Sequence, residues 1–286
     1  MTLIGRSLVL AGVVAGSVAA DAPRTSLAQG LPPCGTVTAD TKLEADCLAP
    51  LTVAADDVTV NLGGHQVSCV GGTGIDVSDR RDVRIEKGQV NNCALAVLLS
   101  GGGGHTVRRL QITSAQGVGV VIDDSDDNLL QHVRVTGVRA FGVRVSGNNN
   151  RLESNELSGI VANGGTAILL LEGATDTAVR LNLLHNNALG IQVGGSANVV
   201  QANQANHNQV GINVDGSANT IRANGADDNA LGGIQVGAGG TDNLLRGNRA
   251  RRNGVYDLAD FPDGPCTLNE WKANRGERLL DGCETG

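Results

Sequence analysis

The sequence predicts an all-β chain wound as a single-stranded right-handed parallel β-helix, a solenoid of about nine coils with disulfide-closed ends. Three observations lead there. A small residue followed by alternating aliphatics returns roughly every 22 residues, asparagines keep step with it, and no segment sustains a helical period.

The repeat is carried by Gly74-Ile75-Asp76-Val77, Ala96-Val97-Leu98-Leu99, Gly119-Val120-Val121-Ile122 and Gly142-Val143-Arg144-Val145. It continues through Ala167-Ile168-Leu169-Leu170, Gly190-Ile191-Gln192-Val193, Gly211-Ile212-Asn213-Val214, Gly233-Ile234-Gln235-Val236 and Gly254-Val255. The first residues are spaced by 22, 23, 23, 25, 23, 21, 22 and 21. Each unit alternates as a short strand does, with Ile191 and Val193 on one side and Gln192 on the other. Gly, Asn, Asp and Ser fill the intervals and turn the chain. A period near 22 is too short for a propeller blade, and the LxxLxLxxN signature of a leucine-rich repeat is absent. With aromatics at 1% of the chain, stacked aliphatics must fill a narrow core.

A second string, Asn-x-aliphatic-x-x-Asn, recurs at Asn150–Asn155, Asn198–Asn203, Asn219–Asn224 and Asn243–Asn248, and a further Asn precedes each late anchor. Asn182, Asn203 and Asn224, and in parallel Asn187, Asn208 and Asn229, are therefore expected to stack at turns as structural amide ladders.

At this point the unit GI-x-V-x-GS-x-N-x-I-x-x-N, best seen over Gly211–Asn224, resembles the repeat of right-handed parallel β-helix proteins of the pectate-lyase-like superfamily. Cys34-Gly35 with Val58–His65 (VTVNLGGH) resembles the first coil of exported bacterial members. Cys266–Asn274 (CTLNEWKAN) with Cys283 resembles their closing segment. The likeness spans residues 34–283 and implies an architecture more than an activity, because this superfamily holds lyases, hydrolases, epimerases, adhesins and proteins without known activity.

The N-terminus reads as an export signal. Arg6 precedes the apolar run Ser7–Ala20, and Val18 and Ala20 suit a cut before Asp21, with a second suitable site after Ala28. The run is shorter than the ~20 residues a membrane span needs. The expected organisation is a signal peptide over 1–20, a flexible mature N-terminus over 21–33, an N-terminal cap over 34–56, the β-helix over 57–254 and a C-terminal cap over 255–286. Six cysteines in an exported chain suggest disulfides. Cys34 and Cys47 bracket the first cap, and Cys266 and Cys283 bracket the last. Cys69 and Cys93 lie 24 residues apart, about one coil. Trp271 is expected to pack over the last coil. A secreted, periplasmic or cell-surface location follows.

Chemistry is harder to find. The formal charge of −7 argues against a nucleic-acid partner. A hydrolase of this shape needs two carboxylates roughly 5–9.5 Å apart, but the outward column Asp76, Leu98, Val121, Arg144, Leu169, Gln192, Asn213, Gln235, Tyr256 offers a single one. The cluster Asp123, Asp124, Asp126 and Asp127 could hold Ca²⁺, and a lyase would pair it with a basic residue such as Arg144 or Arg108, with Asp123 in the same site. The histidines fall in different repeat phases and form no metal column. A stripe ten to twelve residues before each anchor, Arg84, Arg108, Gln131, Arg180, Gln201 and Arg222, would form an outward face of guanidinium and amide groups. Guanidinium forks grip carboxylates in two places, so Arg84, Arg108, Arg180 and Arg222 are the expected contacts to an acidic glycan or cell-envelope polysaccharide. The leading reading is a non-catalytic exported β-helix presenting such a surface. Its rivals are a polysaccharide lyase or epimerase, and a structural or assembly-forming solenoid in which Leu98, Val121 and Leu169 meet a partner.

Overall fold

A computed structural model describes residues 34–261 and 268–281. The signal segment, Cys266 and Cys283 lie outside the described residues. The described chain is a parallel β-solenoid of about ten turns. Each turn has up to three short strands, on three faces, separated by three corners. The first face is one twelve-stranded sheet running from Gly35–Val37 to Leu279–Asp281. The second and third faces share a sixteen-stranded sheet, because two eight-residue strands, Arg84–Asn91 and Thr106–Thr113, pass from one face to the other without a break. A 3-10 turn spans Ala162–Gly164, and among the described residues no helix is long and apolar enough to cross a membrane.

The stacking follows from side-chain alternation. Val143, Ile168, Ile191, Ile212 and Ile234 pair in succession across the first face, and each is fully buried. Each such residue is worth roughly 1.5–3 kcal/mol of apolar burial. The final rung corrects the sequence reading. Ile234 pairs with Leu258, not Val255, which is exposed. The coil between them is longer: Asn229 bonds to Asn253, 24 residues on, where the two preceding steps of the same file span 21. Tyr256 therefore leaves the column of Gln235 and sits opposite Gly232, where a Cβ would lie 2.0 Å from its ring.

Asparagines seal the corners. In one file Asn155, Asn182, Asn203, Asn224, Asn248 and Asn274 stack, each backbone N–H and side-chain amide donating to the next Oδ1 at 2.9–3.0 Å. A second file runs Asn187, Asn208, Asn229, Asn253. The third contains Asn128 and Asn150, and resumes at Asn198, Asn219, Asn243 and Asn269. Residues just before ladder positions sit in the left-handed region, at φ between +55° and +63° for Asp127, Leu181, Ala202, His207 and Gly247. In each case that single residue makes the bend that turns the chain inward. The run Gly101–Gly104 is a turn of the same kind in which a side chain has no room: a Cβ on Gly102 would lie 1.8 Å from the Arg80 carbonyl.

Disulfides join Cys34 to Cys47 and Cys69 to Cys93, with Cα separations of 5.5 and 4.9 Å. Trp271 lies in the inner file beside Leu245, and its Nε1 donates to Asp260 at 3.0 Å. The outward aliphatics Leu98, Val121 and Leu169 do not make an exposed patch. Arg144 stands between Val121 and Leu169 in register, and both aliphatics are at most 9% exposed.

Candidate functional site

The second face carries one outward column, two residues before each ladder asparagine of the second corner. Register places Asn61, Glu86, Arg108, Gln131, Glu153, Arg180, Gln201, Arg222, Arg246 and Lys272 on successive rungs, about 4.8 Å apart. The column has two electrostatic halves. In the first, Arg108 is spent on Glu86, with Nε at 2.7 Å and Nη2 at 2.5 Å from Oε2. Burial pushes the Glu86 pKa up, but its bonds to Arg108 and Lys87 outweigh that and hold it below the usual carboxylate range. In the second half, Arg180, Arg222 and Arg246 have no carboxylate partner among the described residues. Arg222 donates to Gln201 at 2.9 Å, and Lys272 pairs with Glu270. Like charges on adjacent rungs destabilise a sheet, and Arg222 and Arg246 stand on adjacent rungs without an ion-pair partner among the described residues.

Arg84 does not belong to this stripe. It pairs with Thr106, two positions before Arg108, because the sequence spacing to the anchor drifts with coil length. Arg246 and Lys272 were missed for the same reason. A signal for them was present: each stands two residues before a ladder asparagine, Asn248 and Asn274, as Arg180 and Arg222 stand before Asn182 and Asn224.

The acidic cluster does not assemble as a metal cage. Asp126 accepts from the Asn148 backbone N–H at 2.6 Å, and Asp127 accepts from the Asn149 amide at 2.5 Å. Asp123 turns to Ser146 (3.1 Å) and Arg144 (3.4 Å) on the first face, while Asp124 donates its N–H to Ser146 Oγ. The carboxylates thus spread along a corner, and among the described residues no three His, Cys, Asp or Glu side chains converge on a common point. Arg108 is on a different face from Asp123 and Arg144, so the three cannot share one reacting centre. Farther along the first face a directed chain runs from the Tyr256 hydroxyl to Gln235, then to Asn213 (2.7 Å) and to Asp215 (2.7 Å), which Gln192 also reaches at 3.1 Å.

His105 occupies a ladder position rather than a site. Its Nδ1 accepts from the Val83 backbone N–H at 3.2 Å, and its own N–H donates to Asn128. Burial holds its pKa below the ordinary histidine value, against the pull of Asp82, the Arg80 carbonyl and Asp56.

The profile of right handed beta helix regions matches residues 95–250, more than half of the chain. The chain belongs to this family. Its fold recurs in solved structures of low identity. A mutant of the periplasmic alginate epimerase AlgG aligns with TM-score 0.57 at 12% identity, over 91% of this chain and 81% of that one. The endo-xylogalacturonan hydrolase of Aspergillus tubingensis aligns with TM-score 0.63 at 9% identity, over 87% and 86%. A tailspike protein of an E. coli bacteriophage, bound to a pentasaccharide, aligns with TM-score 0.58 at 10% identity. This β-helix covers 87% of its own length in that alignment and 57% of the tailspike chain. No curated protein matches the sequence. At these identities the neighbours share a fold, one that serves both glycan-active enzymes and glycan-binding proteins.

Proposed function

We propose that this β-helix is an exported protein that binds an acidic glycan or cell-envelope polysaccharide along the second face, without turning it over. The supporting observation is the run Arg180, Gln201, Arg222, Arg246, Lys272, in which three cations, Arg222, Arg246 and Lys272, stand on successive rungs and Arg180 lies two rungs before Arg222. Charges kept at a cost to stability are expected where a ligand of opposite sign offsets that cost. Guanidinium forks spaced by the sheet suit a polymer that offers a carboxylate at each sugar. The disulfides and the periplasmic origin of one structural neighbour support export.

The test is binding of purified protein to pectate, alginate and hyaluronan across a salt series. The expected result is binding that weakens with salt and falls at least tenfold in an Arg180→Ala/Arg222→Ala/Arg246→Ala variant. Binding unaffected by that variant would overturn the proposal. A second reading rests on the Asp123–Arg144–Ser146 group of the first face. If the protein is a lyase, absorbance at 235 nm will rise on incubation with one of these polymers, and Arg144→Ala will abolish the rise.

A further inference from the structure

We infer a separate anion-binding groove at the second corner of the N-terminal coils, recognising a single oxyanion carried by a small ligand. It is independent of the Arg180–Lys272 stripe. The groove arises from a step in coil length. Asn61 pairs with Glu86 and Gln66 with Gln89, so the corner between Asn61 and Gln66 holds four residues where the next holds two, Lys87 and Gly88. The longer corner projects as a wall at Gly64. Beside it the groove is lined by Gln89, Arg109, Gln111, His132 and Arg134.

The residue types are what mark it as a site. Arg109 and His132 are the left-handed corner residues of adjacent coils, at φ +53° each, preceded by Lys87 at +59°. The same corner in later coils is made by Ser154, Leu181, Ala202, Ala223, Gly247 and Ala273. The bend itself therefore demands no cation, and the basic residues are confined to the three coils beside the step. Arg109 has no carboxylate partner among the described residues, while Arg134 shares Glu156 at 2.5 Å on its other side. A guanidinium, an imidazole and two neutral amides around one recess provide charge for an oxyanion and hydrogen-bonding groups for flanking hydroxyls. Carboxylate, sulfate and phosphate share this chemistry, and their geometries differ enough for titration to rank them.

Because Ala202 and Ala223 hold the same backbone conformation at equivalent corners, Arg109→Ala and His132→Ala should fold normally, and circular dichroism will verify it. Isothermal titration of the full chain with sodium phosphate, sodium sulfate and sodium galacturonate, against a sodium chloride control, tests the proposal. The expected result is saturable binding of at least one oxyanion, weakened about tenfold by Arg109→Ala and further by the double variant. Arg222→Ala should leave it unchanged. Absence of saturable binding for all three oxyanions would overturn the groove, as would binding that survives both substitutions. Loss through Arg222→Ala alone would return the ligand to the second-face stripe.

Discussion

Asp257 accepts both the backbone and the side-chain N–H of Asn253, at 3.1 and 2.8 Å, and so ends one asparagine file. Every asparagine in that file donates toward the C-terminal coil, so its last member needs an acceptor that demands nothing further. A carboxylate supplies this. The other oxygen of Asp257 takes the backbone N–H groups of Glu277 and Arg278. Burial pushes the Asp257 pKa up, but these four donors together bring it below the ordinary aspartate value.

Substitution of this terminator should loosen the C-terminal rungs. Asp257→Ala removes the acceptor of four donors, two of them buried, and is expected to cost about 3 kcal/mol. Asp257→Asn should cost less, since one oxygen is kept. With its folded pKa depressed, the wild-type carboxylate contributes stability that is complete above the unfolded value of 3.8 and lost as pH falls through the folded value. Thermal melts from pH 6 to pH 2 will show this acid loss flattened in Asp257→Asn.

His105 should impose a second, milder acid dependence. Its neutral ring accepts from Val83, and a proton on Nδ1 would remove that acceptor. The folded pKa lies below 6.5, so the unfolded chain takes the proton first. Stability is then full above pH 6.5 and declines as pH falls toward the folded value. Asn at this position would fit the neighbouring file, so His105→Asn should retain stability and lose the decline, measured by urea midpoints at pH 7.5 and 5.5.

The ladder and the aliphatic core differ in how they fail. Asn203 donates to Val179 and Asn224 and accepts from Asn182. Asn203→Ala is expected to cost about 1–3 kcal/mol by leaving those groups unpaired. Ile212→Ala opens a cavity in a narrow tube and should cost about 2–5 kcal/mol. Denaturant titration of the two variants gives the comparison, and a neutral Asn203→Ala would show the file to be dispensable.

Corner residues offer stabilisation. Leu181 is 64% exposed and held at φ +57°, a conformation costing an L-residue roughly 1–2 kcal/mol. Leu181→Gly relieves this at the expense of unfolded-state entropy. A net gain of about 0.5 kcal/mol is expected, read as a shift in the denaturation midpoint.

How far the sequence reaches can be seen at individual positions. The Ile191, Ile212 and Ile234 file and the two asparagine files through Asn203 and Asn208 were legible, because each depends on a residue type returning at nearly constant spacing. The corners were only half legible: Gly, Asn and Asp announce a left-handed bend, whereas Leu181, Ala202 and Arg109 give no local sign that the stacked coils hold them there. The charged stripe was misphased, with Arg84 included and Arg246 and Lys272 left out.

The linear chain alone determined that a solenoid would form, which side chains would fill it and which amides would edge it, since alternation and periodicity are properties of the chain itself. Vertical partnership was decided by the tertiary structure. Coil steps vary between 21 and 27 residues, and each change shifts which charges face each other. Whether Arg108 meets Glu86, Arg246 follows Arg222, or Asp127 turns to Asn149 therefore depends on the summed lengths of the corners. Local sequence preference does not encode that sum, and only hydrogen-bonded register between coils resolves it.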